Sequence, residues 1–168
     1  GLPGIPIPLP LILGSDASGT LVEVGSNVDS FTVGQNVVIQ PGTFNPKSNF
    51  ALNGKENYSS SYGILGETEN GVHCEYALLD PNNIHLKPRH LSFEESASMQ
   101  LVFMTSHQML IDRAKLKQNE TVLIYGATSG IGAAAIQIAK SIGCKVITTV
   151  GSADKIKFAE KLNADYIF

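Results

Sequence analysis

The sequence contains no tryptophan and only two cysteines among its 168 residues. Two thiols, Cys74 and Cys144, cannot build a disulfide framework and fall short of the three or four ligands of a usual zinc site. A reducing, cytoplasmic setting is expected. Concentrated charge of one sign is also missing: 12 basic side chains face 15 acidic ones, the net charge is −3, and no Lys/Arg cluster stands out. That removes the electrostatic footprint of a nucleic-acid partner. The longest apolar stretch, residues 1–13, is too short to span a bilayer and is broken by Pro3, Pro6, Pro8 and Pro10. It also lacks the basic start of a signal peptide, so no membrane partner is expected. There is no initiator methionine, and the sequence is expected to be a piece of something longer. What is present, 43% hydrophobic and 16% charged residues with 16 Gly and 8 Pro, is a globular composition with room for one sizeable core or two small ones.

The alternate prolines of residues 1–10 deny helix donors and predict an extended surface lead-in. After the Gly-rich GSDASG, the segments 20–25 (TLVEVG), 36–40 (NVVIQ), 74–79 (CEYALL) and 83–87 (NIHLK) read as short strands between Gly, Asn and Pro breakers, a pattern that suggests a β-barrel. Residues 41–72 are rich in turn formers and poor in periodicity, and a loop of that length is usually functional. At Ser92 the pattern changes. Ser92 and Glu95 make a capping box, and apolar residues then recur at helical spacing through about Ala114. Strand 121–126, helix 130–142, strand 145–150, helix 153–162 and the strand DYIF follow in β-α-β-α-β alternation, which argues a parallel sheet covered on both faces.

The strongest chemical signal is TVLIYGATSGIGAAAIQIAKSIG, in which an apolar strand runs into Gly126, Gly130 and Gly132 and then into an Ala-rich helix. A pyrophosphate needs a close backbone and unpaired N–H groups at a helix start, where roughly half a positive charge resides. The strand–turn–helix context makes this a dinucleotide-binding signature rather than glycine packing alone. The Gly-x-x-x-Gly-x-Gly spacing also resembles the short-chain dehydrogenases, whose motif lies near the start of their chains. Here a long β-rich stretch precedes it, and no Tyr-x-x-x-Lys pair occurs anywhere. The next strand ends in VGSADK, where NAD-binding chains are expected to carry a carboxylate for the ribose hydroxyls. Gly151 and Ser152 at that end, with Lys155 one turn on, favour the 2′-phosphate of NADP(H) over NAD(H). Ser152 as a plain helix cap, with Asp154 reaching the ribose, stays open as the alternative.

Along its whole length the chain resembles the medium-chain dehydrogenase/reductase superfamily, the zinc alcohol dehydrogenases and quinone oxidoreductases. Residues 12–39 resemble that family's barrel, 93–110 its crossing helix and 126–147 its cofactor turn. The resemblance implies a mixed β and α/β fold. A GroES-like β-barrel portion, residues 1–105 and incomplete at its N-terminus, precedes the first half of a Rossmann doubly wound parallel sheet, residues 106–168 and incomplete at its C-terminus. It also implies that Thr105 lies beside the nicotinamide and that Ser129, Gly130 and Ile131 sit at the pyrophosphate.

Departures from the family pattern shape the functional expectation. Two positions where the zinc-dependent members carry catalytic ligands are Ser15 and Leu101 here, and the four structural-zinc cysteines align with Asn45, Ser48, Ala51 and Ser59. No metal site is therefore expected, although Asp16 remains as a candidate in an intact protein. The resemblance implies an NADPH-dependent, zinc-independent oxidoreductase passing hydride to a quinone or an activated C=C or carbonyl substrate. The alternatives are a zinc-dependent alcohol dehydrogenase without the structural zinc, and a non-catalytic cofactor-binding or structural relative. A small-molecule substrate and a homo-oligomer, dimer or tetramer, are the expected partners, and the chain alone is expected to turn over little. No proton donor is assigned. His107, two residues past Thr105, reads more simply as a surface or packing residue, and His73–Cys74 as strand neighbours pointing to opposite faces. Tyr62 either lines a cleft or covers the barrel.

Overall fold

The computed structural model describes residues 7–168, so the lead-in's Pro3 and Pro6 lie outside the described residues. Backbone contacts divide the chain into one compact unit ending at Gln100 and a second running from Leu101 to Phe168. The boundary expected at 105/106 and this division both fall within one helix.

In the first unit, strands β1 (Ser18–Thr20), β2 (Asn36–Ile39) and β5 (Ile84–Leu86) form an antiparallel sheet in the order β1-β2-β5, with Val38 opposite both Ser18 and His85. Strands β3 (Gly42–Thr43) and β4 (Gly63–Ile64) pair as a separate antiparallel ribbon. Val37, Ile39, Leu65 and Ile84 form the core, with Phe31, Val72 and Leu79 packed against it. These are the pieces of the expected barrel portion, but two expected strands are corrected. Only Thr20 of segment 20–25 is in a strand; pairing extends as far as Leu21, which bonds to Gln35 and Gly34, and Val22 beyond it is exposed. Segment 74–79 forms no strand: among the described residues no neighbouring ladder meets it, and Tyr76 and Leu78 point into solvent.

The turn-rich stretch 41–72 is folded by local hydrogen bonds. Ser48 caps α1 (Asn49–Leu52) by accepting from the Ala51 amide at 3.2 Å, a single helical turn follows at Glu56–Tyr58, and the Phe50 and Tyr58 rings lie 6.2 Å apart. Tyr62 covers the β3–β4 ribbon, where its hydroxyl occupies the space that a side chain on Gly42 would need. That burial, with the Glu56 charge, pushes the Tyr62 phenol above its ordinary value.

Helix α2 (Phe93–His107) starts at the expected capping box: the Ser92 amide donates to Glu95 at 2.8 Å and the Glu95 amide to the Ser92 hydroxyl at 3.1 Å. It continues in a wider, π-type turn over Gln108–Arg113. The second unit then runs β6 (Thr121–Ile124), α3 (Gly130–Ile142), β7 (Lys145–Thr148), α4 (Ile156–Lys161) and β8 (Tyr166–Ile167), with a parallel sheet in the order β6-β7-β8. The small face of α3, Ala135, Ile136 and Ala139, packs with Ile124, Val146 and Cys144, and the chain leaves the helix at Gly143 through the paired Gly143–Lys140 and Cys144–Ala139 bonds of a Schellman stop. Cys144 is the small buried hydrophobe expected; its thiol donates to the Lys117 carbonyl, and burial pushes the thiol above its ordinary value, so it stays protonated to higher pH.

Candidate functional site

The glycine turn between β6 and α3 lies wholly within the second unit and is held from three sides. Gly126 follows the end of β6 at φ +70°, a left-handed conformation that lets the chain reverse without a Cβ clash. Its amide donates to the Thr149 hydroxyl at 3.1 Å and the Ala127 amide to the Thr149 carbonyl at 3.0 Å, so the residue just past β7 fixes the turn. Ser129 is the N-cap of α3: its hydroxyl accepts from the Gly132 amide and donates to the Gly126 carbonyl, both at 2.9 Å. Gly132 is there because nothing larger fits. A Cβ at that position would stand 2.1 Å from the Gly126 oxygen.

This arrangement leaves the amides of Thr128, Gly130 and Ile131 without an acceptor among the described residues. Thr128 to Gly130 are exposed and Ile131 is half-buried. Two amides at the positive end of a 13-residue helix, with the Thr128 amide just before its N-cap, fit a pyrophosphate. The Ser129 hydroxyl is already engaged within the turn.

Ser152 and Lys155 follow β7 three and six residues beyond Thr149, both exposed, where Ala153–Lys155 makes a single turn before α4. The Lys155 amide donates to the Ser152 carbonyl at 3.1 Å. Asp154 lies between them, and the Ser152 hydroxyl is the first cause holding its carboxyl below the ordinary range. The segment thus presents one exposed cation, Lys155, and one exposed carboxylate, Asp154.

Thr105 is half-buried near the end of α2. His107 is exposed, with Nδ1 3.7 Å from Asp112 Oδ2, the position of a surface residue. Between them stands Ser106, fully buried, whose hydroxyl donates to the Ile131 carbonyl at 3.2 Å. Neither Ser106 nor Thr149 stands out in the sequence. Each acts across more than twenty residues, and no local pattern announces such a contact.

The positions expected to have lost zinc ligands carry hydrogen bonds. The Ser15 hydroxyl donates to the Leu65 carbonyl at 2.8 Å; Asn45 accepts from the Lys47 amide, Ser48 caps α1, and Ser59 meets Ser61 at 2.9 Å. His73 packs its ring on Gly14, and among the described residues no three His, Cys, Asp or Glu side chains converge. A polar cleft of about 480 Å³ in the first unit, bounded by Thr43, Glu69, Asp80 and Asn83, contains none of the expected site residues.

The family model of the alcohol dehydrogenase GroES-like domain matches residues 3–89, and that of the zinc-binding dehydrogenase matches residues 130–168. The chain belongs to the GroES-like alcohol dehydrogenases of the medium-chain dehydrogenase/reductase superfamily. It is 32% identical over 160 residues to an NAD-dependent alcohol dehydrogenase of Sulfolobus acidocaldarius, covering 95% of this chain and 46% of that protein. To a quinone oxidoreductase of Pongo abelii it is 31% identical over 160 residues, 95% of this chain and 41% of the other. A solved structure of an NAD-dependent alcohol dehydrogenase superposes with a TM-score of 0.93 at 43% identity, over 96% of this chain and 47% of that one. The chain spans less than half the length of each of these relatives. The family carries the GroES-like and Rossmann-like parts expected, and its named relatives are dehydrogenases and reductases.

Proposed function

We propose that the protein is an NAD(P)H-dependent oxidoreductase that prefers NADP(H), works without zinc, and passes hydride to a quinone or an activated C=C or carbonyl group. The observation that carries this reading is the glycine turn, where Gly132 admits no side chain and the Gly130 and Ile131 amides face outward without acceptors. The bound nicotinamide supplies or accepts the hydride. The chain's own part is positional: the α3 amides hold the pyrophosphate, Ser152 and Lys155 receive the adenosine ribose and its 2′-phosphate, and Thr105 stands at the nicotinamide side. Zinc independence is supported by the engagement of the Ser15 hydroxyl with Leu65 and by leucine at position 101, neither of which offers a ligand. The proposed partners are a small-molecule substrate and further copies of the chain, with neither nucleic acid nor membrane. No helix of the described residues is long and apolar enough to cross a membrane. The proposed setting is cytoplasmic, in keeping with two free cysteines.

A fluorescence titration of NADPH into the chain, with NADH as competitor, tests the reading; the absence of tryptophan keeps the nicotinamide emission clear. Saturable binding that NADH displaces poorly is the expected result, and Lys155→Ala narrows the gap between the two cofactors. Equal or tighter binding of NADH would remove the NADP(H) preference, as the Asp154 carboxylate beside Ser152 favours. A second reading, a zinc-dependent alcohol dehydrogenase, is favoured by Asp16 and by the zinc-binding dehydrogenase model over residues 130–168. About one zinc per chain in the whole protein, with activity lost to a chelator, would establish it.

A further inference from the structure

We infer that Ser106 is a positioning residue for the pyrophosphate turn, a role that rests on the dinucleotide reading above. Ser106 has no exposed surface, and its hydroxyl donates to the carbonyl of Ile131, one of the two residues whose amides face outward at the start of α3. A helical serine commonly turns its hydroxyl back to the carbonyl four residues earlier in its own helix. This one reaches a residue 25 positions away instead.

The contact is one half of a clamp. Val102 lies one helical turn before Ser106 on the same face of α2, and its Cγ1 is 2.9 Å from the point where a Cβ on Gly130 would stand. The i and i+4 residues of α2 therefore meet the two successive residues Gly130 and Ile131. Val102 fixes how closely the turn approaches, and the Ser106 hydroxyl fixes its rotation about the α3 axis. Rotation decides where the Gly130 and Ile131 amides aim, and a helix start that is already aimed binds an anion without losing orientational freedom at that moment. Thr105 is the residue before Ser106 in α2. The segment that presents Thr105 to the nicotinamide side is thus hydrogen-bonded to the segment that holds the pyrophosphate.

The test compares Ser106→Ala with Ser96→Ala, a control at an equally buried serine of α2 whose hydroxyl donates to the carbonyl of Ser92 at its own helix start. Amide hydrogen exchange of the ligand-free chain is read at Gly132 and Ala133, both bonded to Ser129. Affinity is read for NADPH and, separately, for adenosine, which has no pyrophosphate. A hydroxyl bond at 3.2 Å is long, so its loss in Ser106→Ala is expected to weaken NADPH about three- to fivefold. Adenosine affinity stays unchanged, exchange in the first turn of α3 quickens, and Ser96→Ala does none of these. Unaltered exchange at Gly132 and Ala133 overturns the proposal, as does equal weakening of NADPH and adenosine, which would mark a general loosening. If neither the unsubstituted chain nor the whole protein binds NADPH, the dinucleotide reading fails, and the exchange comparison still decides whether Ser106 orients the turn.

Discussion

At the scale of single residues, the turn depends on what is absent from Gly132 more than on any side chain present. A methyl group there meets the Gly126 carbonyl oxygen at 2.1 Å and the Ser129 hydroxyl at 2.9 Å, and the first of these is backbone that cannot swing aside. Gly132→Ala must push α3 away from β6 or open the turn. It is expected to cost about 2 kcal/mol of stability, within the usual range for overpacking, and to weaken dinucleotide binding at least tenfold. Gly151→Ala is the matched comparison, because nothing lies within 4 Å of the added methyl and its stability should stay within about 0.5 kcal/mol. Urea unfolding of both variants checks the pair. Equal midpoints for Gly132→Ala and the unsubstituted chain would mean that the close approach is not rigid.

At the scale of elements, Asp165 joins three of them. Its Oδ2 accepts from the Val146 amide of β7 at 2.6 Å and from Lys140 Nζ of α3 at 2.8 Å, one residue before β8 begins. The Lys140 ammonium, first, and the Val146 amide hold its carboxyl below the ordinary value of 3.8. A carboxyl depressed in the folded state adds stability that is present above that ordinary value and is lost as pH falls through the folded one. With the pair 27% and 33% exposed, Asp165→Asn should cost only about 1 kcal/mol at neutral pH, since the amide oxygen still accepts from Val146. The gap should close as pH falls below the ordinary carboxyl value and through the folded one, and a gap that stays unchanged into strong acid would show that charge plays no part. Residues 121–168 were legible because every local signal agreed: near-continuous apolar strands, a Ser cap, and small residues on the packed face of α3. Segments 20–25 and 74–79 carry equally good strand patterns, but a pattern does not supply a neighbouring ladder, and Tyr76 and Leu78 stay in solvent. The spacing of Gly126, Gly130 and Gly132 marks the turn in the sequence, and the family resemblance implies Ser129, Gly130 and Ile131 as its pyrophosphate residues. Ser106 and Thr149 could not be read in either way, since each earns its role from a contact made only after folding.

At the scale of the whole molecule, the parallel sheet of the second unit ends in bare edges. β6 is the terminal strand of the order β6-β7-β8 and pairs only with β7 among the described residues. Its outward-facing Leu123 is 51% exposed and the adjoining Tyr125 is 75% exposed; at the opposite end Tyr166 and Phe168 are similarly open. An edge of this kind offers unpaired backbone donors and acceptors beside apolar side chains, and natural sheets usually blunt it with lysine, proline or a bulge. β6 has none of these within Thr121–Ile124. The chain is therefore expected to self-associate as its concentration rises, with β6 as the contact. Leu123→Lys places a charge on that strand without entering the core, where Ile124 and Val122 hold the fold. Sedimentation velocity across a concentration series should show the association of the unsubstituted chain and a clear loss of it in Leu123→Lys, with matching circular dichroism for the two. Association that persists in the variant would move the contact to the other edge, at Tyr166 and Phe168. A chain that stays monomeric throughout would mean that the β6 edge of this chain is blunted by solvation alone.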